Sequence, residues 1–93
     1  MPLTFVVSGP LRELAGNRAE IPVEGQASKL ADALPLLWKS CPALRDRVVT
    51  ELNEVREHVN IFVDGESIRY SGGFDTPVRE RSEIVILPAL SGG

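Results

Sequence analysis

The order of elements along this chain predicts an α+β fold: a single mixed sheet of about five strands, with one main helix across its face and a short second helix. Three observations carry that expectation. An apolar, β-branched run opens at Leu3, one helical stripe of apolar residues spans Leu30 to Trp38, and two extended runs flank an Asp64-Gly65 pair ahead of a last strand ending at Pro88.

Each element follows from local chemistry. Leu3 to Val7 is apolar and rich in aromatic and β-branched residues, and Gly9-Pro10 stops it, so a first strand begins almost at the N-terminus. Ala19 to Val23 is its expected partner. Between them, Leu11 and Leu14 can tuck under the sheet, and Gly16 can take a positive φ at the turn. Ser28 is the expected N-cap of a helix carrying Leu30, Ala33, Leu34, Leu37 and Trp38 at helical spacing. Pro35 falls inside that stripe, which predicts a kink or a restart. Beyond Pro42, Leu44 to Val55 reads as a second, weaker helical stretch, charged and exposed or short. Val59 to Val63, Asp64-Gly65 and Glu66 to Tyr70 predict a hairpin with a type I′ turn. Ser71 to Pro77 reads as a looped crossing, and Glu83 to Leu87 as a final strand closed by Pro88. The expected organisation is a folded domain over residues 1–88 and an extended tail over 89–93.

Composition narrows the functional classes. The 93 residues suit one domain with one core, and 43% hydrophobic with 25% charged residues is the balance of a globular chain. A net charge of -3 gives no global attraction to nucleic acid or to an anionic membrane, so neither partner is expected. No apolar run approaches the ~20 residues that cross a bilayer. Cys41 has no second cysteine to pair with, and the first residues lack a basic segment and a long apolar one, so a cytoplasmic location is expected.

An internal active site finds little support in the residue types. His58 is the only histidine, which argues against a multi-histidine metal site and against a Ser/His/Asp triad. Cys41 lies between Ser40 and Pro42 with no histidine near it in sequence and reads as an inert thiol. Gly72-Gly73 is not followed by the Lys-Ser/Thr of a phosphate-cradling loop and reads as a turn. The arginines at 45, 47, 56, 69, 79 and 81 are interspersed with acids and read as a solvated mixed-charge surface.

The C-terminal segment points to chemistry. The last strand leads into Ala89-Leu90-Ser91-Gly92-Gly93. Five extended residues reach roughly 17 Å, enough to place a terminal carboxylate inside a partner's cleft, and glycines pass a narrow channel. A carboxylate is a poor electrophile, so its use as a carrier requires adenylation by a nucleotide-dependent partner. Exchange with a sulfur donor then leaves a terminal thiocarboxylate.

Several segments share a pattern. Leu11-Arg12-Glu13-Leu14-Ala15-Gly16, Val59 to Gly65 and Ile86-Leu87-Pro88-Ala89-Leu90-Ser91-Gly92-Gly93 make the chain resemble the MoaD/ThiS family of ubiquitin-like sulfur carriers across nearly its whole length. The resemblance implies a β-grasp fold and a protein cosubstrate, not an enzyme, with Gly93 as the adenylate and thiocarboxylate site and Gly92 beside it. It implies no cofactor on this chain, with ATP used by the adenylating partner. The sulfur acceptor would be a cysteine synthase-like enzyme or the large subunit of molybdopterin synthase. Arg69 to Gly73 and Leu87 to Leu90, with the spacing between the main helix and Asn60, look more like the carriers that feed a cysteine synthase. A small subunit of molybdopterin synthase and a ubiquitin-like modifier joined to protein lysines are the alternatives. The chain departs from the family at Arg81-Ser82, where many members have Gly-Asp, which bears on the shape of that turn.

The last strand is apolar on both faces, because Ile84 and Ile86 point one way and Val85 and Leu87 the other. Ile61 and Phe62 repeat the pattern. Either the second helix and loops cover the extra surface, or it forms a docking patch with Phe62, Leu87 and Leu90 as candidates.

Overall fold

The computed structural model describes residues 3–88. Five strands form one mixed sheet, β1 Leu3–Val7, β2 Glu20–Val23, β3 Val59–Val63, β4 Glu66–Ser67 and β5 Glu83–Pro88, in the spatial order β2-β1-β5-β3-β4. The N- and C-terminal strands lie parallel at the centre, with Phe5 opposite Ile84 and Val7 opposite Ile86, while β2 and β3 flank them antiparallel. Period-2 alternation sends Leu3, Phe5, Val7, Ile21, Val59, Ile61, Val63, Ile84 and Ile86 to one buried face.

The main helix α2 covers that face. It follows α1 Pro10–Leu14 in the chain and spans Leu30–Ser40, burying Leu30, Ala33, Leu34 and Leu37. Pro35 interrupts nothing: it sits exposed inside one continuous helix, where the stripe buried against the sheet outweighs the one missing N–H. Ser28 does not cap the helix. Lys29 is the N-cap residue without a side-chain bond, and the crossing segment supplies the partners instead: Leu30 N donates to Thr76 O at 2.9 Å and Val78 N donates to Ser28 O at 3.0 Å.

Two further expectations are corrected. The second helix does not extend to Val55; a 3-10 turn over Pro42–Leu44 leads into α3 Arg45–Val48, which buries Leu44 and Val48. Thr50 ends it, since its Oγ1 accepts from Leu52 N at 3.2 Å and Glu54 N at 3.3 Å, holding a tight loop closed by the Val49–Val55 bridge. The hairpin turn forms as expected, with Asp64 at φ 49 and Gly65 at φ 90, but its return strand is only two residues long. Ser67 Oγ accepts from Arg69 N at 3.3 Å and starts α4 Ile68–Ser71, whose Ile68 is buried in the core and whose end is the left-handed Gly72. The chain therefore adds α1 and α4 to the main and short second helices. Leu11 of α1 is buried and Leu14 packs against the core, as the tucked leucines were expected to do. Among the described residues no helix is long and apolar enough to cross a membrane.

Candidate functional site

The segment that carries the expected chemistry begins where β5 ends, and the fold places that exit at the centre of the sheet. β5 is paired with β1 as far as Ile86 and with β3 as far as Pro88, opposite Val59, so the chain leaves the sheet from its central strand. Gly92, Gly93 and Leu90 lie outside the described residues, as does the predicted tail over 89–93 as a whole. Gly9 lies beside this exit. Its φ of 62, which favours glycine, opens α1, and the β1-α1 turn lies beside Pro88, since a Cβ placed on Gly9 would stand in ordinary contact at 3.4 Å from Pro88 Cγ.

The two docking candidates inside the described residues share the sheet face that α2 does not cover. Phe62 stands opposite Val85, Leu87 opposite Asn60, and Val6 beside Val85 on the parallel neighbour. Phe62, Leu87, Val85 and Val6 are all half-exposed, whereas Ile84 and Ile86 are fully buried. The conflict in the β5 pattern is thereby resolved, with one face in the core and the other an apolar stripe across three central strands. The alternation of β1 carried the signal for Val6; only its neighbours across the sheet show that it joins Phe62.

The remaining polar candidates fall in separate places. Cys41 is buried, with Arg18 Nη2 donating to its Sγ at 3.3 Å. Gly72 and Gly73, at φ 117 and 60, shape the turn after α4. Among the described residues no group of three or more His, Cys, Asp or Glu side chains could hold a metal ion. His58, Arg47 and Arg56, read from sequence as ordinary surface, converge with Leu11 and Pro88 on one cavity of about 420 Å³ at the tail root. Their separation along the chain hid that grouping.

A mixed five-stranded sheet grasping one main helix, with its two terminal strands parallel at the centre, is the ubiquitin-like β-grasp. The profile of the ThiS family matches residues 5–93, so the chain belongs to the ThiS family. The sulfur carrier protein CysO of Mycobacterium tuberculosis is 27% identical over 95 aligned positions covering 100% of both chains. The small archaeal modifier protein 1 of Haloferax volcanii is 32% identical over 84 positions, 89% of this chain and 91% of its own. Among solved structures, the BexX/CysO complex of Amycolatopsis orientalis contains a chain with a TM-score of 0.85 at 24% identity, covering 98% of this chain and 99% of that one. The match to CysO agrees with the resemblance to carriers that feed a cysteine synthase.

Proposed function

We propose that this protein is a sulfur carrier whose Gly93 carboxylate is adenylated by an ATP-dependent enzyme and converted to a thiocarboxylate, with cysteine synthesis as the favoured destination of the sulfur. The observation that carries the reading is the family match running to residue 93, through a Gly-Gly pair that follows the central strand of the sheet. In the first step a carboxylate oxygen attacks the α-phosphorus of ATP and pyrophosphate leaves, giving an acyl adenylate. In the second a sulfide-level donor attacks the carbonyl carbon and AMP leaves, so the carbon keeps its oxidation state and one oxygen is exchanged for sulfur. The chain is the cosubstrate of both steps, and the β-grasp body is its handle. No cofactor is assigned to the chain itself.

The apolar stripe of Val6, Phe62, Val85 and Leu87 supports a docking role, because burying half-exposed apolar surface contributes ~25 cal/mol per Å² before association costs. The 32% identical relative that is a protein modifier favours a second reading, in which the activated carboxylate is joined to lysines. Deleting Gly93 tests the shared step: ATP-pyrophosphate exchange by the activating enzyme should vanish while the melting temperature stays within experimental error. A truncated chain that still accepts sulfur would overturn the proposal. Conjugates of the intact chain to lysine in cell extract, with no thiocarboxylate, would support the modifier reading in its place.

A further inference from the structure

The cavity at the tail root gathers charge that the reading above does not use. Leu11, Val59 and Pro88 form its apolar wall, and Arg47, Arg56 and His58 stand on its polar side with a single acid, Glu57. Among the described residues the ion pairs are Lys29–Asp75 and Arg45–Asp46, so neither Arg47 nor Arg56 has a carboxylate partner there. Arg56 is also held in place. Its backbone N donates to Val48 O at 3.0 Å and its Nε to Asp46 O at 2.7 Å, leaving the two Nη groups with no hydrogen bond among the described residues. A chain of net charge -3 thus presents unpaired guanidinium groups beside the residue from which the tail departs.

We propose that this cleft is a second contact surface, which takes a carboxylate-bearing loop of the adenylating enzyme that receives the tail; it rests on the carrier reading. An enzyme that draws residues 89–93 into its active site has the rim of that site no farther from Pro88 than the roughly 17 Å those residues span. That distance puts this cavity, which Pro88 itself lines, within reach of the rim. Guanidinium groups bind carboxylates through paired N–H donors, and a partner carboxylate here would replace the ion pair that the fold does not supply. Charges at such a rim set encounter and affinity and leave the chemical step alone.

The test is ATP-pyrophosphate exchange by the adenylating enzyme of the source cell, followed against carrier concentration in a series of KCl concentrations. Wild type is compared with R47E/R56E, R47K/R56K and R79E, the last placing the same kind of reversal before the start of β5, at the opposite end of that strand. The expected result is a KM about tenfold higher for R47E/R56E with kcat unchanged. The lysine pair, which keeps the charge and loses the paired donors, should raise KM by less than the reversed pair, R79E should behave as wild type, and added salt should raise the wild-type KM while lowering that of R47E/R56E by screening its repulsion. If R47E/R56E does not fold, R47Q/R56Q carries the same comparison. Equal KM values for wild type and the charge-altered pair, or an equal loss in R79E, would overturn the assignment. An enzyme that adenylates other carriers but gives no exchange with the wild-type chain would overturn the carrier reading itself.

Discussion

Arg81 holds a left-handed backbone, φ 68, on the exposed turn before β5. That conformation costs an L-residue about 1–2 kcal/mol and glycine almost nothing, so glycine is the residue that suits this turn. The neighbouring Ser82 is 2% exposed; its Oγ accepts from Arg79 N at 2.9 Å and donates to Asp64 Oδ2 at 2.8 Å. Asp64 Oδ1 accepts in turn from Glu83 N at 2.9 Å, so the hairpin's turn residue also pins the start of β5. Arg81→Gly is expected to stabilise the fold by about 0.5–1 kcal/mol, offset in part by the entropy glycine loses on folding. Ser82→Ala, by leaving the Arg79 N–H without its partner, should destabilise it by about 1–3 kcal/mol. Urea denaturation of both variants checks the two signs. The departure at 81–82 was visible in the sequence, but its meaning was not, because it depends on a backbone angle and on Asp64 lying 18 residues away.

Among the elements, those with a strong period were legible and those decided by single side-chain bonds were not. The strands β1, β3 and β5 and the helix α2 follow from alternation and from the stripe at Leu30, Ala33, Leu34 and Leu37. The return strand of the hairpin was read too long because Ser67 caps a helix there, and the second helix was read too long because Thr50 ties down the loop after it. The same alternation separates stability from docking on β5. Ile86→Ala, at a fully buried position between β1 and β3, should cost about 2–5 kcal/mol by leaving a cavity. Phe62→Asp, on the half-exposed face, should change the melting temperature far less and weaken binding to the activating enzyme severely. Calorimetry paired with a titration of partner binding distinguishes them; equal binding by charged variants at 62, 87 and 90 would remove the docking face.

At the scale of the whole molecule, the proposed function divides the work between body and tail. The described residues build a rigid sheet whose central strand ends at Pro88, with an apolar stripe on one side of that exit and a cationic cleft at its root. The diglycine and the apolar faces were readable from sequence order alone. The cleft was not, because it is assembled from Leu11, Arg47, Arg56, His58 and Pro88, which only the fold brings together. Sulfur on residue 93 is read out by intact-mass spectrometry of the chain after incubation with the adenylating enzyme, ATP and a sulfide donor. A species heavier by the replacement of one oxygen with sulfur is expected in the wild type and not when Gly93 is deleted. A wild-type mass that stays unchanged while a known carrier is converted in the same mixture would contradict it.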